Sequence, residues 1–172
     1  PGIKKKALDG IINPTLDEMR NNGTPYSGIL YAGLMIVDNE PYLIEYNVRL
    51  GDPECQVLAV RLGAQLLDML LSCAKQELLG TKINYAEDTA ITVVIATKGY
   101  PGDYKIGSKI FGLDNIDENG TIQVFHSGTG LDGKQLIAEG GRVLSVTTRD
   151  NSLNSARNKV YSAVEKIIFE DG

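Results

Sequence analysis

Two cysteines, one histidine and the want of a long uninterrupted apolar run narrow this chain before any motif is read. Cys55 and Cys73 fall on a helical stretch with neither metal-ligand spacing nor a cysteine-rich surround, so neither a cysteine metal site nor a disulfide framework is expected. Two reduced thiols fit a cytoplasmic protein. The longest apolar stretch, about Val57 to Leu71, is interrupted by Arg61, Gln65 and Asp68, which argues against a membrane span. No charged-then-apolar leader is read at the start. A net charge of -5 argues against a nucleic-acid surface, though a local basic pocket is compatible with it. The chain has no G-x-x-x-x-G-K-[ST] loop to cradle a triphosphate, and no internal repeat or low-complexity tract.

What is present is an ordinary globular composition, 42% apolar and 23% charged over 172 residues, enough for one medium domain or two small ones. The apolar spacing predicts a helix from about Ile3 to Asn21, with a kink at Pro14. A nearly all-apolar strand from Ile29 to Val37 and a second strand from Tyr42 to Arg49 flank the turn Asp38-Asn39-Glu40-Pro41, which reads as a hairpin. From Asp52 to Leu79, Leu58, Leu62, Leu66, Met69 and Cys73 recur at helical spacing, with a break at Gly63 and an end at Gly80. Thr81 to Thr89 is polar and marks a boundary. Beyond it come strands at Ala90 to Ala96, Thr121 to His126, Gln135 to Ala138 and Val143 to Thr148. A last helix, capped by Asn151 or Ser152, closes the pattern.

The densest chemistry lies in Glu45-Tyr46-Asn47-Val48-Arg49-Leu50-Gly51-Asp52-Pro53-Glu54. On a strand, Glu45, Asn47 and Arg49 project to one side. A carboxylate and a carboxamide there suit Mg²⁺, which takes few protein oxygens and shares its shell with phosphate and water, and a guanidinium suits a transferring phosphoryl group. A single polar triplet also reads simply as the wet face of a strand. After it, Asp52 is placed to cap a helix, Pro53 to occupy its first position and Glu54 its first turn.

The whole string resembles the signature of the glycinamide ribonucleotide synthetases, ATP-grasp enzymes of purine synthesis. The resemblance extends upstream through Asn13-Pro14-Thr15, Gly23-Thr24-Pro25-Tyr26 and Gly28 to Met35. Downstream it continues in Gly99-Tyr100-Pro101-Gly102-Asp103-Tyr104, Phe125-His126-Ser127-Gly128-Thr129 and Gly140-Gly141-Arg142-Val143-Leu144, so that essentially the entire chain is covered. It implies an α+β fold: the C-terminal half of an ATP-grasp domain over 1–85, then a small β-rich domain with a closing helix over 86–172. It also implies a short missing tail and a missing N-terminal part of the same enzyme, with the nucleotide-binding half, whose absence would leave the fragment inactive alone.

The implied reaction joins glycine to 5-phosphoribosylamine, with ATP as co-substrate and Mg²⁺ or Mn²⁺ as metal. By the resemblance, Glu45 and Asn47 hold the metal, Arg49 stabilises the transferring phosphoryl group or acyl phosphate, and Gly51 with Asp52 receives glycine, the aspartate pairing with its ammonium. Asp52 keeps its rival reading as a helix cap. Arg142, after two glycines that permit close backbone approach, would face the ribose phosphate together with Lys98, which otherwise reads as a solvated loop charge. His126, the only histidine, is read as a structural hydrogen-bonding residue. Two other classes compete with this reading: a different ATP-grasp ligase or carboxylase sharing only the E-x-N-x-R core, and a non-catalytic module that kept the scaffold. The downstream strings argue against the former and the intact triplet against the latter.

Overall fold

In the computed structural model, residues 2–80, 82–84, 86–116 and 121–172 are described. They form two compact units whose segments alternate along the chain: Pro1–Gly51 with Ala64–Lys82, and Asp52–Gly63 with Ile83–Gly172. The expected boundary stretch contains Thr81 and Tyr85, which lie outside the described residues. Composition registers chain order, whereas the units follow packing, and so helix Glu54–Leu62 groups with the later strands. Among the described residues no single helix is long and apolar enough to cross a membrane.

The first unit opens with α1 (Ile3–Ala7) and α2 (Asn13–Asn21), joined without interruption by a π-helical turn over Leu8–Ile12. The kink expected at Pro14 is instead absorbed one turn earlier. Proline has no N–H to offer the preceding turn and crowds the carbonyl four residues back, and a widened turn just before it relieves both problems. The hairpin follows, β1 (Tyr31–Val37) with β2 (Glu40–Asn47), antiparallel. Asp38 and Asn39 both take positive φ, 49° and 61°, as a two-residue turn that matches strand twist requires. The strand therefore starts at Glu40 and takes in Pro41 rather than beginning at Tyr42.

β2 is also irregular. Its register slips between Gly33 and Leu34, which pair with Glu45 and Leu43, leaving Ile44 as the extra residue of a bulge. The strand ends at Asn47 rather than Arg49. Tyr46 ties it to the helices, its hydroxyl donating to the Ile11 carbonyl at 3.2 Å and lying 2.8 Å from Thr15 Oγ1. α4 (Gln65–Ala74) completes the unit, and Ser27 Oγ donates to its Cys73 carbonyl. It stops well before Leu79. Gln76 turns to φ 60° and Glu77 N–H reaches back to the Ser72 carbonyl at 2.8 Å, closing the end over a polar Lys75-Gln76-Glu77 run.

The second unit is built on a three-stranded antiparallel sheet in the order β3 (Thr89–Ala96), β8 (Arg142–Asp150), β5 (Ile122–His126). Alternation divides the sheet into two faces. On one, Ile91, Val93, Ile95, Val124 and Val146 meet Val160 and Ala163 of α5 (Leu153–Val164), whose Ser152 cap accepts from Ser155 N–H. On the other, Thr92 and Thr147 share a 2.8 Å hydroxyl contact, and Arg149 donates to the Val60 carbonyl of α3 (Glu54–Leu62). Gly63 ends α3 at φ 55°, at the expected break. From Val143 to Thr148 the central strand is completely enclosed, and each such valine or leucine contributes about 1.5–3 kcal/mol by leaving water.

Short pairings finish the unit; of their strands the sequence predicts only Gln135–Ala138. β4 (Ile110–Phe111) pairs with β9 (Ile168–Phe169), and β6 (Thr129–Asp132) with β7 (Gln135–Ala138). Together they enclose a second core of Ile110, Ala138, Val143 and Leu144.

Candidate functional site

In the first unit, the bulge at Ile44 sets Glu45 against Gly33, where an added Cβ would lie 3.2 Å from Glu45 Cγ. A side chain on Gly33 would crowd the glutamate stem. Asn47 Nδ2 donates to Glu45 Oε1 at 2.9 Å, so the carboxylate and the carboxamide stand side by side as their spacing predicts. Arg49 does not extend this row. It lies beyond the strand, where Nη1 donates to the neighbouring Leu50 carbonyl at 2.9 Å, because the chain bends after Asn47 and strand alternation no longer governs it. Gly51 is buried at the end of the unit's first segment.

Among the described residues no three His, Cys, Asp or Glu side chains gather as a metal-holding group. The Glu45 carboxylate and the Asn47 carboxamide oxygen are nonetheless hard donors of the kind Mg²⁺ and Mn²⁺ prefer. The pair fits a cation that draws the rest of its shell from a ligand or water.

In the second unit, Asp52 and Arg142 come together across ninety positions of sequence. Arg142 Nη1 donates to Asp52 Oδ2 at 3.0 Å and to the Asp52 carbonyl at 2.9 Å. The helix-cap reading of Asp52 is thereby overturned: Pro53 is the residue at the N-cap of α3, no side chain caps it, and the Asp52 carboxylate is turned to the arginine. Pro53 accordingly lies just outside the helix, which begins at Glu54.

Tyr100 is the participant that sequence reasoning missed. Its ring lies 5.6 Å from the Arg142 guanidinium carbon, within cation–π range, and 6.2 Å from the Tyr104 ring. A side-chain hydrogen bond with Tyr100 first, and then the charge of Asp52, hold the Arg142 pKa above its ordinary value against the opposing cost of burial. The close approach expected at the glycine pair is real: a Cβ on Gly141 would sit 2.2 Å from Tyr100 Cδ2, so only glycine lets the ring pack there. The signal was available in Gly99-Tyr100-Pro101-Gly102 and Gly140-Gly141-Arg142, but nothing in one sequence says that these strings touch.

Lys98 is exposed and lines a cleft of about 390 Å³ with Thr97, Asp103, Tyr104, Lys105 and Asp171; Arg142 is not in that lining. Its backbone N–H donates to the Asp171 carbonyl at 2.6 Å. His126 Nδ1 lies 2.9 Å from Thr129 Oγ1 at an exposed turn. Cys55 and Cys73 are free thiols.

Comparison with known proteins points to one family. Two sequence models of one family match, phosphoribosylglycinamide synthetase, ATP-grasp (A) domain over residues 1–55 and phosphoribosylglycinamide synthetase, C domain over residues 90–172. The chain is 44% identical to a phosphoribosylamine–glycine ligase of Mesorhizobium japonicum over its full length, covering 40% of that protein. It is 45% identical to the chloroplastic phosphoribosylamine–glycine ligase of Arabidopsis thaliana over 96% of this chain and 32% of that one. A solved phosphoribosylamine–glycine ligase from Thermotoga maritima superposes with a TM-score of 0.85 at 32% identity, over 97% of this chain and 40% of that chain. An L-amino acid ligase from Bacillus licheniformis, at 16% identity and a TM-score of 0.57 over 98% of this chain and 41% of its own, shares the fold alone. The chain thus spans about 40% of the length of the first curated relatives it matches. On these grounds, with both family matches falling in their expected order along it, the chain belongs to the phosphoribosylglycinamide synthetase family.

Proposed function

We propose that this chain is part of a ligase that joins glycine to 5-phosphoribosylamine using ATP, yielding glycinamide ribonucleotide, ADP and phosphate. The observation that carries the reading is the Glu45–Asn47 contact, two hard oxygen donors held side by side at the end of β2. It lies within a segment whose relatives are named phosphoribosylamine–glycine ligases. Residues 1–85 are taken as the ATP-grasp portion and 86–172 as the C-terminal domain. We place the reaction in the cytoplasm, in keeping with the free thiols Cys55 and Cys73.

Glu45 and Asn47 would hold Mg²⁺ or Mn²⁺, which supplies neutralising charge to nucleotide phosphates. The reaction runs in two displacements. A glycine carboxylate oxygen bonds to the γ-phosphorus of ATP and ADP departs, giving glycyl phosphate. The amine of phosphoribosylamine then bonds to the acyl carbon, phosphate departs, and the amine gives up a proton. Arg49 suits the first displacement, since its planar fork matches the equatorial phosphoryl oxygens. Gly51 and Asp52 receive glycine, with the Asp52 carboxylate toward the ammonium. Arg142 and Lys98 receive the ribose phosphate.

The test uses an enzyme of the relatives' full length carrying this segment, supplied with ATP, glycine and phosphoribosylamine. Phosphate release should require both substrates, and Arg49→Lys should lower kcat by about tenfold or more as the fork is lost while the charge remains. Near-normal kcat in Arg49→Lys would remove Arg49 from the phosphoryl step, and phosphate release indifferent to phosphoribosylamine would defeat the substrate assignment. Residues 1–172 alone should release no phosphate from ATP.

A further inference from the structure

The Arg142–Asp52 pair raises a question that substrate binding alone does not answer: a guanidinium meant for a phosphate already has a carboxylate on it. Both side chains remain accessible, 37% and 49% exposed, and an ion pair that open to water is weakly held. A phosphate dianion presents more charge and more acceptor oxygens than a carboxylate and forms stronger charge-assisted bonds with a guanidinium. The guanidinium itself is not free to wander, because the Tyr100 ring lies against it and Gly141 lets that ring in. The acceptor is exchangeable and the donor is fixed.

We propose that Asp52 is a stand-in anion for Arg142: an incoming phosphate group displaces the Asp52 carboxylate from the guanidinium, which Tyr100 holds in place as a positioning residue, and the released carboxylate becomes available to an ammonium group. This deepens the reading above and rests on it for the identity of the phosphate, the 5-phosphate of a ribosyl amine. One consequence is coupling. A ligand that takes Arg142 improves the site for a cation at Asp52, and by linkage the cation improves the site for the phosphate by the same factor.

The exchange is read directly by nuclear magnetic resonance of residues 1–172 with arginine side chains labelled with ¹⁵N, titrated with ribose 5-phosphate and, in a second arm, with inorganic phosphate. The Arg142 Nε–H signal should move on titration. Asp52→Asn should bind ribose 5-phosphate about threefold to fivefold more tightly, as expected for removing a competing half-exposed ion pair. Asp52→Ala should do the same, which separates lost charge from any new amide contact. Tyr100→Leu should bind about threefold more weakly, and Tyr100→Phe, which keeps the ring face but loses the hydroxyl bonded to the guanidinium, should fall between it and the parent. Equal movement in the inorganic phosphate arm identifies a general phosphate receptor, and greater affinity for ribose 5-phosphate identifies a sugar phosphate site; both support the exchange. An unmoved Arg142 signal, or Asp52 variants that bind phosphate no better than the parent, would overturn it. The measurement needs no turnover, so its failure is distinguishable from failure of the ligase assignment, which is read by phosphate release.

Discussion

Two strands of similar composition meet opposite fates. β1 contains Leu34-Met35-Ile36-Val37 and reads as a buried strand, while β8 contains Val143-Leu144-Ser145-Val146 and reads only as a β-rich run. In β8 every residue from Val143 to Thr148 is at most 1% exposed, because β3 and β5 flank it, α5 covers one face and α3 approaches the other. In β1 the residues nearest the turn are open, with Met35 at 53% and Val37 at 48%, and the bulged Ile44 of β2 reaches 63%. An apolar run calls for a strand, but only its neighbours decide whether water is excluded. The hairpin's sheet holds just two strands, and an isolated pair of strands has little with which to bury both faces.

The sharpest way to break the comparison is to shorten one side chain in each region. Leu144→Ala should destabilise the second unit by about 2–5 kcal/mol through lost burial and a residual cavity. Ile44→Ala, at the exposed bulge, should change stability by no more than about 0.5 kcal/mol. Denaturant melts of both variants check this, and equal effects would mean that the hairpin is covered in solution.

A smaller effect is expected at a backbone position of the second unit. Gly112 takes φ +87°, and a Cβ there would fall 1.9 Å from the Lys166 carbonyl. Gly112→Ala should therefore cost about 1–3 kcal/mol, combining a disfavoured conformation with a backbone clash. Gly10, inside the π-helical turn with nothing within 4 Å of its Cβ position, should accept alanine with little change. Thermal melts of the two variants should separate cleanly.

The smallest effect is electrostatic and depends on pH. Lys159 first, then the Asn151 backbone and Ser155, hold Asp150 at a pKa of about 2, below the roughly 3.9 of an unfolded aspartate. A lowered folded-state pKa stabilises above the unfolded value, and the contribution fades as pH falls from about 4 through about 2. Asp150→Asn should therefore flatten the acid dependence of stability in that window and leave the slope above pH 5 unchanged. An unaltered slope between pH 4 and 2 would show that the Lys159 pairing, 2.7 Å in the folded chain, contributes nothing there.

The fold was legible in sequence wherever one local rule controlled the outcome. The Asp38-Asn39 turn, the Gly63 break and the Ser152 cap follow from residue chemistry within a few positions. The ending of α4 and the widened turn before Pro14 were displaced because cap and ring strain compete with the apolar stripe. The grouping of α3 with the later strands was not legible, since it depends on a polar face built by Thr92, Thr147 and Arg149 from distant segments. Among site residues, Glu45 and Asn47 were readable as neighbours from the period of a strand. The Asp52–Arg142 pairing and the Tyr100 platform were not, because their partners lie tens of residues away and no periodicity reports them. Arg49 shows the limit from the other side: the period was right, but the strand stops two residues short of it.

The central claim is that Glu45 and Asn47 hold the cation that serves ATP. It is tested most directly by measuring turnover of Glu45→Gln and Asn47→Leu at saturating Mg²⁺, in an enzyme of the relatives' full length, beside circular dichroism and thermal melts of the same samples. Loss of turnover by about a thousandfold or more in both variants, with folding and melting temperature unchanged, is the result this account predicts. Turnover retained in both at saturating Mg²⁺ would contradict it.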